Sequence, residues 1–139
     1  GYVRTGGLLA KEKGIEINVR SDGPVYVWAD QFYAEEVFQN YFTNAVNHCD
    51  GEKKIDIHFE QKENKVRVCV FNSGVPIPEG ALPRIWEKFY KVDKARTRAY
   101  GGSGVGLSIV KAIMELMHQD YGVCNYDNGV EFWFELETK

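Results

Sequence analysis

Four runs of this chain alternate apolar and polar residues, and they come as two pairs. Ile55, Ile57 and Phe59 alternate with Asp56, His58 and Glu60, and Val66, Val68 and Val70 alternate with Arg67 and Cys69. Lys62-Glu63-Asn64-Lys65 lies between them. Tyr121–Tyr126 and Val130–Leu136 flank Asp127-Asn128-Gly129, a strong turn signal. A period of two puts every apolar side chain of a strand on one face, so each hairpin must bury that face against something. Ile15, Ile17 and Val19 predict a further strand. Val25-Tyr26-Val27-Trp28 predicts another, after the turn Ser21-Asp22-Gly23-Pro24.

The covering layer has a different period. Asp30 is a suitable N-cap, and from Gln31 to about His48 the apolar positions Val37, Phe38, Tyr41, Phe42, Ala45 and Val46 have helical spacing. Leu82 to Phe89 suggests a short helix, and Leu107, Ile109, Val110, Ile113, Met114 and Met117 suggest a third, from about Gly104. The expected fold is α+β: a two-layer α/β sandwich whose mostly antiparallel sheet is covered on one face by about three helices.

At 139 residues the chain is read as one domain, 1–139. A net charge of −3 without a basic stripe leaves no footprint for nucleic acid. No apolar run reaches membrane-spanning length, so no direct membrane contact is expected. The chain opens at Gly1 without Met and is read as a fragment of a longer one. Cys49, Cys69 and Cys124 lack metal-ligand spacing; the two in strand-like runs read as buried free thiols, which fits a reducing, cytoplasmic setting.

Two features carry chemistry. Gly101-Gly102-Ser103-Gly104-Val105-Gly106-Leu107-Ser108 puts four glycines in six positions and runs into a helix. Glycine allows close backbone approach and a first helical turn offers unpaired N–H groups, so the pair forms a phosphate cradle. The Walker lysine is absent. The second feature is Asn40, Asn44 and Asn47 along one edge of the long helix. Asparagine is a mediocre helix former, but its amide oxygen is a hard, neutral ligand suited to Mg²⁺.

With a second Asn/Gly loop at Asn72 to Gly74 and a charged aperiodic run from Tyr90 to Tyr100, these features form an ordered set. That set resembles the ATP-binding catalytic domain of bacterial sensor histidine kinases, in the superfamily shared with DNA gyrase and heat-shock chaperone ATPases. The resemblance covers about residues 25–136, residues 1–24 matching only loosely, and it implies a Bergerat-type ATP-binding fold with a mixed sheet. Glu36 to Ala45 is similar to the N box, implying Asn44 as the Mg²⁺ ligand with Asn40, Asn47 and His48 bordering the phosphates. Asn72 to Pro78 is similar to the first glycine box, implying adenine contacts from Asn72, Gly74 and Ile77. Trp86 to Lys91 resembles the F box, with Phe89 and Tyr90 as packing anchors of a nucleotide lid and Lys91 reaching the phosphates. Gly102, Ser103, Gly104, Val105, Gly106 and Leu107 resemble the second glycine box.

The sequence departs from the family pattern at informative places. Asn72 stands at a usual aspartate and could accept from the adenine N6 amine while donating to N1. Pro76 replaces a glycine, Asn47 a common lysine and Lys91 a common arginine. Asn40 stands where hydrolysing members keep a water-activating glutamate. The resemblance implies a protein-histidine kinase engine of a two-component system. It would be the cytoplasmic domain of a membrane-bound sensor and would transfer the γ-phosphate of ATP–Mg²⁺ to a histidine on a separate dimerisation domain. A response regulator would be the downstream partner. No segment here has a His-Glu or His-Asp pair followed by Pro. The alternatives are a degenerate nucleotide-binding or protein-interaction module, and a serine kinase of the same superfamily. On its strand, His58 reads as solvent-facing.

Overall fold

The computed structural model describes residues 11–21, 26–90 and 105–138. Strands β1 (Glu16–Arg20) and β2 (Val27–Trp28) lead into helix α1 (Gln31–His48). The hairpin β3 (Lys54–Lys62) and β4 (Lys65–Ser73) follows, then helix α2 (Gly106–Leu116) and the hairpin β5 (Tyr121–Tyr126) and β6 (Gly129–Thr138). The sheet runs β1-β3-β4-β6, and beyond β6 its edge is shared by β5 and β2. β5 pairs with residues 129–134 of β6, and β2 with Glu137 and Thr138. Among the described residues, only β1 and β3 pair in parallel; the β2–β6, β3–β4, β4–β6 and β5–β6 pairings are antiparallel. The mostly antiparallel mixed sheet is therefore as expected.

The period-two pattern does what it predicts. Ile55 and Ile57, Val66, Val68 and Val70, and Val130, Phe132, Phe134 and Leu136 all turn inward and are buried. They meet Val37, Tyr41, Phe42, Ala45 and Val46 of α1 and Val110, Ile113 and Met114 of α2 in one core. Tyr41 reaches through it: its ring packs 5.2 Å from that of Phe132, and its hydroxyl donates to the Trp133 carbonyl at 3.0 Å. Asp30 caps α1, accepting from Tyr33 N–H at 3.2 Å.

Three local expectations change. The helix predicted over Leu82 to Phe89 is instead a 3-10 helix at Glu79–Arg84. Pro83 has no N–H to give, and the bonds that form run from Ala81 to Pro78 and from Ile85 to Ala81. Cys124 is exposed, whereas Cys49 and Cys69 are buried free thiols. His58 is four-fifths shielded on the outer face. That face is closed at one end by Arg67, which stacks on Trp133 at 3.8 Å and pairs with the buried Glu135 carboxylate at 2.9 Å. Among the described residues, no helix is long and apolar enough to cross a membrane.

Candidate nucleotide site

The inward columns of the sheet are apolar until they reach one end, where two of them turn polar. Val66, Val68 and Val70 are succeeded by Asn72, and Tyr121 and Val123 by Asn125. In register, Asn72, Val130 and Asn125 lie in one row across β4, β6 and β5. This row forms the floor of a polar end on a hydrophobic core.

Asn72 is only 2% exposed. Its Nδ2 donates to the Ser73 carbonyl at 3.1 Å and to the His48 carbonyl at 3.5 Å, so both amide protons are directed at backbone. The structure thus orients Asn72 as an acceptor, and the second bond, to adenine N1, lacks a donor in this arrangement. Asn125 clamps the following loop in the manner of a strand partner. Its Nδ2 donates to the Ile77 carbonyl at 2.7 Å, and its Oδ1 accepts from Ile77 N–H at 3.1 Å. Sequence reasoning missed Asn125, although a polar residue closing the Tyr121, Val123 alternation was a signal. Asn125→Ala should cost about 1–3 kcal/mol by leaving two half-buried backbone groups unpaired. Urea denaturation would check this, and an unchanged midpoint would mean that water replaces the clamp.

Ser73, also missed, ties the loop to the end of α1. Its hydroxyl donates to the Asp50 carbonyl at 2.7 Å and accepts from Lys54 N–H at 2.8 Å. Gly74 has φ +144, and a Cβ there would stand 3.0 Å from the His48 carbonyl. Its N–H donates to Asn128 at 2.9 Å. Glycine is required here both by conformation and by space.

At the other end of the same helix edge, a Cβ on Gly106 would lie 3.0 Å from Asn40 Oδ1. Helix α1 and the start of α2 are therefore in contact at Asn40, whose Nδ2 is anchored on the Glu36 carbonyl at 2.8 Å. Asn44, Asn47 and His48, all half-buried, continue that edge towards Asn72. From Asn40 to His48 the helix rises about 12 Å. Val105 occupies the N-cap of α2 and has no side-chain oxygen with which to cap it. Leu107 packs on the core and Ser108 turns back to Val105 at 2.7 Å.

Of the two residues expected to anchor a lid, one packs and one does not. Tyr90 lies against the core under the Arg84 guanidinium, 4.5 Å away, whereas Phe89 is 64% exposed with φ 66. The anchor's weight falls on Trp86, edge-on to Tyr121 at 4.9 Å and to Phe132 at 5.9 Å. Lys91, Gly102, Ser103 and Gly104 lie outside the described residues.

Residues 29–139 match the model of the family described as histidine kinase-, DNA gyrase B-, and HSP90-like ATPase. Over 82 residues the chain is 42% identical to the sensor protein kinase WalK of Staphylococcus haemolyticus (strain JCSC1435), covering 58% of this chain and 14% of that protein. The solved catalytic domain of the histidine kinase ThkA, in a nucleotide-free form, superposes with a TM-score of 0.79 at 34% identity, over 98% of this chain and 90% of that one. Full-length ShkA in complex with AMPPNP superposes with a TM-score of 0.83 at 28% identity, over 99% of this chain and 29% of that one.

Proposed function

The chain belongs to the histidine kinase-, DNA gyrase B-, and HSP90-like ATPase family, and from that premise we propose that it is the ATP-binding catalytic part of a sensor histidine kinase. The observation that carries this reading is the polar edge of α1. It joins the Asn72–Gly74 loop at its C-terminal end to Gly106 at Asn40, a span suited to a nucleoside triphosphate. Asn72 Oδ1 accepts from the adenine amine, while Val130 and Ile77 flank the base. The first-turn N–H groups of α2, at Gly106 and Leu107, receive phosphate oxygens at the positive end of the helix dipole.

Asn44, midway along the edge, is the neutral oxygen donor for Mg²⁺, and Asn40, Asn47 and His48 border the phosphates. Bound there, Mg²⁺ would neutralise charge on the phosphates. A neutral imidazole nitrogen on a separate dimerisation domain attacks the γ-phosphorus. The bond to the bridging oxygen breaks, and ADP leaves with its electron pair. Asn40 cannot act as a carboxylate base towards water, so hydrolysis without the acceptor should be slow. A response regulator would take the phosphoryl group onward.

The test is to incubate the chain with ATP–Mg²⁺ and an added histidine-bearing dimerisation domain. Acid-labile phosphohistidine is expected. Acid-stable product would indicate a serine kinase, and tight ATP binding without transfer would indicate a nucleotide-binding module.

A further inference from the structure

The face of the sheet turned away from the helices gathers a second set of reactive side chains. His58 and Glu60, two apart on β3, share that face, and Cys69 of β4 is the register partner of His58. One imidazole nitrogen, one carboxylate oxygen and the thiol sulfur lie within 4.8 Å of one another. Glu131 of β6 stands opposite Phe71, diagonal to Cys69. His58 Nε2 lies 3.4 Å from Glu60 Oε1, whereas the buried Nδ1 has no hydrogen-bond partner. A shallow depression of about 160 Å³, lined by His58, Glu131, Asp56 and Phe71 among others, opens beside them.

A buried imidazole nitrogen without a partner calls for an explanation, because such atoms are rarely left unpaired. The ring that carries it stands in a donor set with metal-binding chemistry. Imidazole and thiolate beside carboxylate suit zinc and its neighbours, whereas Mg²⁺ and Ca²⁺ take oxygen alone. Tetrahedral bonds of about 2.0–2.3 Å place ligand atoms roughly 3.3–3.8 Å apart. Bringing His58, Glu60 and Cys69 to such distances takes about 1 Å of side-chain adjustment, within reach of the half-exposed Glu60. The backbones of His58 and Cys69 are already fixed by strand register.

We propose that His58, Glu60 and Cys69, with Glu131 as fourth donor, bind a zinc-like divalent transition-metal ion on the outer face of the sheet. Binding replaces the S–H bond of Cys69 with a metal–sulfur bond, and the proton leaves to solvent. Burial pushes the free thiol up to about 12, so the metal-free cluster holds that proton. The nucleotide floor and this site lie on opposite faces of β4, since Cys69 and Asn72 are three apart in a two-residue period.

Co²⁺ added to the chelator-treated chain without nucleotide tests the proposal. The expected result is a thiolate-to-cobalt charge-transfer band with strong tetrahedral d–d bands, both displaced by Zn²⁺. They should vanish in Cys69→Ala and persist in Cys124→Ser, which removes the exposed thiol. His58→Gln, at a partly exposed position, carries the test should Cys69→Ala fail to fold. It should weaken Zn²⁺ binding by at least about tenfold and reduce the Zn²⁺-induced rise in Tm. No thiolate band in the wild type, a band that survives Cys69→Ala, or undiminished Zn²⁺ affinity in folded His58→Gln would overturn it.

Discussion

Asn44→Ala is expected to lower phosphoryl transfer by about 100- to 1,000-fold, the range lost when one preorganised electrostatic group is removed. Asn44 sits half-buried on the polar edge of α1, between Asn40, which meets α2, and His48, whose carbonyl meets Asn72. The buried residues of the same turns are Tyr41, Phe42, Ala45 and Val46, not Asn44. Alanine is the better helix former, so the fold should be retained or gain a few tenths of a kcal/mol. A Mg²⁺ titration of transfer to an added dimerisation domain, beside a thermal melt, separates the two effects. Near-normal transfer by a folded Asn44→Ala protein would remove Asn44 from the metal site.

The second large effect is expected at Gly129, which the sequence marks only as part of a hairpin turn. A Cβ there would come 2.1 Å from the Asn72 carbonyl and 2.8 Å from the Phe71 ring. The nearest obstacle is backbone, held by the β4–β6 ladder at Asn72↔Val130 and Ser73↔Gly129. Relief requires the strand ends to part, so Gly129→Ala should cost about 3 kcal/mol, the upper part of the overpacking range. It should also loosen ATP binding, because Asn72 moves with its backbone. Gly122→Ala is the control: its Cβ would meet the Trp133 ring at 2.6 Å, a side chain on the outer face. That variant should lose stability and keep its nucleotide affinity. Equal ATP affinity in wild type and Gly129→Ala would separate Asn72 from the site.

Much of this was legible in order along the chain. The hairpins 54–73 and 121–138 follow from alternation and turn residues, and α1 follows from apolar spacing and the Asp30 cap. These signals are local, since a strand or helix face is set by neighbours two to four positions away. The runs proposed as the N box and glycine boxes were read for the same reason, each being short. Residues 82–89 were misjudged because apolar spacing outweighed Pro83. Phe89, assigned to packing through the F-box resemblance, is exposed, and Trp86 takes that place.

What the sequence by itself determined is the set of elements, their buried faces and the chemical types available near a phosphate. Only the tertiary structure decided which distant residues meet. Asn125 reaches Ile77 across 48 positions and Ser73 reaches Asp50 across 23. His58 and Cys69 become neighbours only through the β3–β4 register. Pairing across a sheet depends on register and strand order, which many sequences of the same local pattern could satisfy differently. The physical reason is range: periodicity acts within a turn or two of chain, while a site is closed by contacts whose partners lie far apart in sequence.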